Sequence, residues 1–297
     1  MNQCSINHRC QHCFQNSVVR LSIIRFTLSV LIACVAPIAV AQDDPFNPTL
    51  RKKNSGDEPV RAKVHKLTRD EFASLPDIRS FREQPSDQFL IDWKFLRTGH
   101  PYMGTGTLKP HTGAHLNFTL PDRQLDPKQP GSYPQIFAVA NGIVTRVDEA
   151  FRLRPVYFES LGTTRANLRY GVDITFARNG DQPVSFHYSI EPMVDPGDEN
   201  FYRPFLQVQV GQTVRKGDVI ATMYLPPDPR DAENSHIHFN LNCGRNFKSP
   251  SIFSQSVERQ FAATWDASRL REDWPIPACM GYKLGAMEDP FVAAGTD

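Results

Sequence analysis

The sequence predicts a mainly β, antiparallel domain with long loops and a short C-terminal helical extension. Short runs of Val, Ile, Phe and Thr recur from about Gln88 to Cys243, separated by turn signals such as PDRQLDPKQPGSYP, ANG, ARNGDQP and VGQTVRKGD. Apolar and polar residues alternate within the runs, the period of a strand with one buried face. The longest segment of helical spacing, SIFSQSVERQFAATW (251–265), follows the last strand-like run.

Residues 1–41 read as an export signal. Arg9, Arg20 and Arg25 precede FTLSVLIACVAPIAVA, and the first acidic residue is Asp43. That apolar run is interrupted by Pro37 and is short for a membrane span, which needs about 20 residues. Ala39-Val40-Ala41 before Gln42 is a small-residue cleavage site. LIAC (31–34) also offers Cys34 as a lipidation site, but cleavage there would leave VAPIAVA beside the lipid. The expectation is cleavage after Ala41, a periplasmic or secreted location and no stable membrane insertion. Processing removes Cys4, Cys10, Cys13 and Cys34 and leaves Cys243 and Cys279. Two cysteines in an oxidising compartment are expected to form one disulfide. The whole chain carries 33 basic and 32 acidic side chains, a balance that makes no electrostatic case for nucleic acid.

Residues 42–86 read as a flexible linker and N-terminal extension. QDDPFNPTLRKKNSGDEPVRAKV (42–64) is polar, proline-containing and without periodicity. Within the extension, LTRDEFASL (67–75) can form a short helix capped by Thr68, with Glu71 completing a capping box. The strand-rich domain is expected over 87–245 and a C-terminal extension over 246–297. EPMVDPGDENFYRPF (191–205) reads as a long loop of the kind that walls a groove.

The chemistry lies in the histidines. Of nine, His111 and His115 occur in PHTGAHLNFTLPD, His187 in PVSFHYSIEP, and His236 and His238 in SHIHFNLN. Side chains two apart on a strand point the same way. His236 and His238 therefore share a face opposite Ile237 and Phe239. His187 joins Ser185 and Ser189 opposite Val184, Phe186, Tyr188 and Ile190. His115 joins Asn117 and Thr119 opposite Leu116, Phe118 and Leu120. Imidazoles on the open face of a sheet are available to a metal, and catalytic zinc usually takes three protein ligands.

These segments resemble the M23 zinc metallopeptidases, the LytM/lysostaphin-like peptidoglycan endopeptidases. The family order is H-x-G-x-D, a lone histidine, then H-x-H; here it is His111-Thr-Gly113-Ala-His115, His187 and His236-Ile-His238. AVANGIV (138–144) resembles the family's first hairpin, YGVDITF (170–176) the strand before the lone histidine, and VQVGQTVRKGDVIA (208–221) the unit before H-x-H. The resemblance covers roughly residues 100–243. It implies a LytM-like, duplicated-hybrid-motif-like fold and Zn2+ held by His111, His115 and His238, with His187 and His236 as catalytic non-ligands. It also implies an exported endopeptidase cleaving peptide cross-links of peptidoglycan, with the peptide stems as substrate.

Three departures stand out. His115 takes the place of the family's aspartate, the approach PPDPRDAENSHIH has no glycine, and Asn240 stands where glutamate is common. Asp173 and Asp122 are the nearest carboxylates that could replace the missing ligand. A second function from another class is a degenerate LytM-like domain that regulates a cell-wall amidase partner. A third, a biotinyl or lipoyl carrier suggested by VQVGQTVRKGDVIATM, lacks the modifiable lysine on a tight hairpin.

Overall fold

Strand alternation is realised in an antiparallel sheet whose two faces differ in chemistry. A computed structural model of the protein describes residues 59–102, 113–194, 200–244 and 246–265. In chain order these form β1 (Pro59–Val64), α1 (Arg69–Ser74), β2 (Leu96–His100), β3 (Ala114–Phe118), β4 (Gln135–Phe137), β5 (Gly142–Phe158) and β6 (Thr163–Asn179). There follow β7 (Gln182–Glu191), β8 (Thr213–Val214), β9 (Val219–Thr222), α2 (Pro229–Ala232), β10 (His236–Cys243), β11 (Asn246–Lys248) and α3 (Gln255–Ala262). Among the described residues the main sheet has the order β1-β5-β6-β7-β10-β3-β2, with β8 added on β5 and β11 on β10. β4 and β9 make a separate pair, so the segment around AVANGIV leads from β4 into β5 without closing a hairpin between them.

One face of the sheet is hydrophobic core. Val184, Phe186, Tyr188 and Ile190 of β7, Ile237, Phe239 and Leu241 of β10, and Leu116 and Phe118 of β3 are all buried. Phe89 packs on this face, its ring 6.1 Å from Phe239 and 5.4 Å from Phe261. Phe261 and Val257 are the buried residues of α3, one turn apart, and Ser254 caps the helix through Val257 N. The helix expected at the C-terminal end thus covers the sheet through an apolar stripe.

The segment expected as linker and extension joins this framework from Pro59 onward. β1 pairs with β5 at the sheet edge, and Ile78 is fully buried. The Thr68–Glu71 capping box forms as the sequence implies. β1 escaped recognition because its sequence, PVRAKV, carries charges, as exposed edge strands commonly do. Lys63 Nζ donates to Glu149 Oε1 at 2.5 Å, and Arg61 lies 3.7 Å from Glu149 Oε2.

Cys243, at the end of β10, is a buried free thiol. It donates to Gln182 Oε1 at 3.5 Å and accepts from Asn179 Nδ2 at 3.9 Å, and burial pushes its pKa up. Its expected disulfide partner, Cys279, lies outside the described residues.

Burial alone would raise the Glu149 pKa, but the hydrogen bond and charge of Lys63, with Arg203 and Arg61, outweigh it and hold the carboxyl below its ordinary 4.5. A depressed folded pKa contributes stability that is present above the unfolded value and lost as pH falls through the folded one. Glu149→Gln should therefore lower the melting temperature at neutral pH. The gap between variant and parent should close as the pH falls below 4.5. Melting curves across that range check it; a gap that persists undiminished in acid would contradict the assignment.

Candidate metal centre

The partners of β10 order the polar face into rows. Opposite β10, Glu191 of β7 pairs with His236, Ser189 with His238 and His187 with Asn240. On the other side, Asn117 of β3 pairs with His236 and His115 with His238. The central row continues outward, from Ser189 to Gly171 of β6 and from His115 to His100 of β2. The row of His187 continues to Asp173 of β6 and Arg146 of β5.

His115, His236 and His238 form one group, each offering a ligand atom within 4.8 Å of the others. The Nε2 atoms of His236 and His238 are 3.0 Å apart, and the His115 ring centroid lies 4.5 Å and 4.8 Å from those of His236 and His238. His115 and His238 are each only 4% exposed. His236 Nδ1 lies 2.5 Å from the Asn234 carbonyl oxygen. A carbonyl can only accept, so Nδ1 carries a proton and Nε2 is the nitrogen that faces the group. A ring nitrogen held by a carbonyl while the other faces inward is the usual setting of a metal-ligating histidine.

The donor set fits a divalent transition metal. In a tetrahedral site with bonds of about 2.0–2.1 Å, donors lie about 3.3–3.4 Å apart. The 3.0 Å between His236 and His238 is near that spacing. Imidazole suits zinc, copper, iron and nickel.

The structure places the expected site residues unevenly. His115 and His238 come together as the sequence implies, and His236 joins them. His111 lies outside the described residues. His187 stands one row away, where its Nδ1 donates to Asp173 Oδ1 at 2.5 Å and its ring stacks 6.4 Å from Phe247. Asp173 is thus engaged by His187, and Asp122 is exposed in a turn beyond β3. Among the described residues the carboxylate at the cluster is Glu191: Oε2 lies 3.2 Å from His236 Nε2 and Oε1 3.6 Å from His238 Nε2. Glu191 opens the segment expected as a loop (191–205), but it is the last residue of β7 and shares strand parity with His187 and Ser189, which is the signal in the sequence that points to it. His100 of β2 lies beside His115, with 6.1 Å between ring centroids, and no motif in the sequence marks it.

A groove of about 580 Å3 opens beside Asp173, bounded by His65, Lys66, Arg69, Arg146 and Ser185 among others. Its floor carries a hydroxyl ladder, Thr145 to Thr175 at 2.8 Å and Thr175 to Ser185 at 2.6 Å.

No protein-family model matches the sequence, and no curated protein matches it. Solved structures share a likeness of fold at low similarity. A chain of the SpoIIQ–SpoIIIAH pore-forming complex is 15% identical at a TM-score of 0.33, over 59% of this chain and 96% of that one. The M23 metalloprotease pseudoalterin, from the deep sea, is 15% identical at 0.29, over 56% and 73%. A zinc-containing peptidase from Vibrio cholerae is 14% identical at 0.28, over 56% of this chain and 39% of that chain. Scores this low carry no argument about activity.

The geometry predicts the outcome of a histidine scan. His115→Ala, His236→Ala and His238→Ala should each weaken zinc binding by more than the 10–100-fold typical of an outer partner. His187→Ala should leave it unchanged. Calorimetric titration of folded protein checks this. Parental affinity in His236→Ala would remove that residue from the ligand set.

Proposed function

We propose that the chain is an exported zinc metalloendopeptidase that cleaves peptide cross-links of bacterial peptidoglycan, working in the periplasm or outside the cell. The observation that carries this reading is the convergence of His115, His236 and His238 on one polar sheet face, with a His187–Asp173 pair one row away. The order of these histidines along the chain, which resembles the M23 pattern, supports the same reading.

Zinc, when bound, would supply Lewis-acid polarisation of a carbonyl and acidification of a water. His115, His236 and His238 would hold it. Asp173 accepts the His187 Nδ1 proton, so Nε2 is the basic nitrogen of the neutral ring. His187 could then take a proton from the attacking nucleophile and return it to the leaving amine. Asp173 would fix the tautomer and stabilise the imidazolium. His187 is the diagonal neighbour of His238 across β7 and β10, and diagonal positions lie about 7–8 Å apart. The groove beyond Asp173 mixes Lys66 and Arg69 with Asp181, which suits peptide stems bearing both amino and carboxyl groups.

A second reading, a non-catalytic domain that regulates a cell-wall amidase, is favoured by one observation. Glu191 stands against two histidines of the cluster, where a catalytic site would keep space for water and substrate.

Purified, zinc-loaded protein should convert cross-linked muropeptides to uncross-linked products detectable by mass spectrometry. His187→Ala should cut turnover by about 10²–10⁴-fold, the usual contribution of a general acid–base group, while keeping zinc. Stoichiometric zinc with no turnover of any cross-linked muropeptide would overturn the peptidase reading in favour of the regulator.

A further inference from the structure

We propose that Glu191 is itself a metal ligand, which with His115, His236 and His238 makes four protein donors among the described residues. The inference rests on the metal reading above and extends it to a residue outside the histidine pattern. Glu191 is the last residue of β7 and lies directly across from His236 in the register. Its carboxylate straddles the two histidines of β10, 3.2 Å from His236 Nε2 through Oε2 and 3.6 Å from His238 Nε2 through Oε1. The two Nε2 atoms are 3.0 Å apart. The carboxylate meets each imidazole through a different oxygen, and the three distances bracket the 3.3–3.4 Å or so expected between donors of a tetrahedral zinc site. His115 approaches from β3, on the other side of β10 from Glu191.

The chemistry of the contact points the same way. His236 Nδ1 donates to the Asn234 carbonyl, so Nε2 is the ring nitrogen that faces the Glu191 carboxylate and is placed to share a cation with it. Glu191 is 7% exposed, and its Oε2 accepts a hydrogen bond from Asn167 Nδ2 at 3.4 Å, which helps hold the side chain in place.

The consequence is functional. Catalytic zinc sites keep one position open, whereas four protein donors make a closed site. A substrate carbonyl would have to displace Glu191 or enter as a fifth donor. Glu191 would thereby set both the affinity of the site for metal and its accessibility.

The test compares zinc and cobalt(II) titrations of the parent chain, Glu191→Gln and Glu191→His, with circular dichroism to confirm folding. Glu191→Gln keeps the shape and removes the charge, and Glu191→His restores a donor. The expected result is that Glu191→Gln weakens zinc by more than the roughly 100-fold ceiling of an outer partner and alters the visible cobalt spectrum. Glu191→His should recover most of the affinity. If Glu191→Gln binds zinc within about threefold of the parent, well inside outer-partner effects, with an unchanged cobalt spectrum, Glu191 is not a ligand and the three-histidine reading survives. If the parent itself binds neither metal, both readings fall together.

Discussion

The arrangement depends on the register of β10 between β7 and β3. Antiparallel pairing sets His236 beside Glu191 and Asn117, and His238 beside Ser189 and His115. The side-chain period of a strand is two, so a slip of one residue would exchange the faces of the whole strand. His236 and His238 would then enter the aromatic core, and Ile237 and Phe239 would face the polar rows. Phe239 packs against Phe89, Phe186 and Phe261. Exposing a buried side chain of this size forfeits about 1.5–3 kcal/mol, before the cost of burying imidazoles is counted. The hydrophobic face therefore enforces the geometry of the histidine face.

How much of this was legible in the sequence follows from the same alternation. The faces of β3, β7 and β10 could be read residue by residue, since each strand alternates cleanly and one side is buried. His115 and His238 were recognisable as neighbours on that basis and from the motif order. What alternation does not carry is register across strands. It cannot say that Glu191, and not His187, lies opposite His236, because that depends on which hydrogen-bonded pairs form between distant segments. β1 was illegible for another reason: its stability comes from backbone pairing at an edge and from Lys63 and Arg61 on Glu149, neither of which leaves an apolar pattern. The short helix and its capping box were legible because the signal is local and lies within four residues.

The approach to His236 shows how a glycine-free segment is held. Asp228 caps α2 by accepting from Arg230 N, and Pro229 takes the first helical position, where a missing N–H costs nothing. Asp231, 1% exposed, accepts from the backbone N–H groups of Glu159 at 2.8 Å and Ser160 at 3.1 Å. The tip of the β5–β6 hairpin is thereby tied to the turn before β10. A carboxylate bound by backbone donors can do what a close glycine turn does, fixing the entry angle of the strand. It does so through a buried charge that must remain satisfied.

Separation of the three-histidine group from the His187–Asp173 pair has its own logic. Rows on one face of a strand are two residues apart, about 6.6–6.8 Å, and an extended dipeptide covers about the same length. An extended peptide lying along β7 could therefore present one peptide group to the histidine cluster and the peptide group two residues along to His187. Asp173 draws the Nδ1 of His187 to itself, and Arg146, flanked by Asp148 and Asp173, stays charged beside it although burial would favour its neutral form. This pairing holds His187 in its own row, opposite Asn240 and apart from the three-histidine group. Either partner, a backbone carbonyl for His236 or a carboxylate for His187, fixes a tautomer and orients a ring, so it is the register that differentiates the two: His236 lies opposite Glu191 and His187 opposite Asn240.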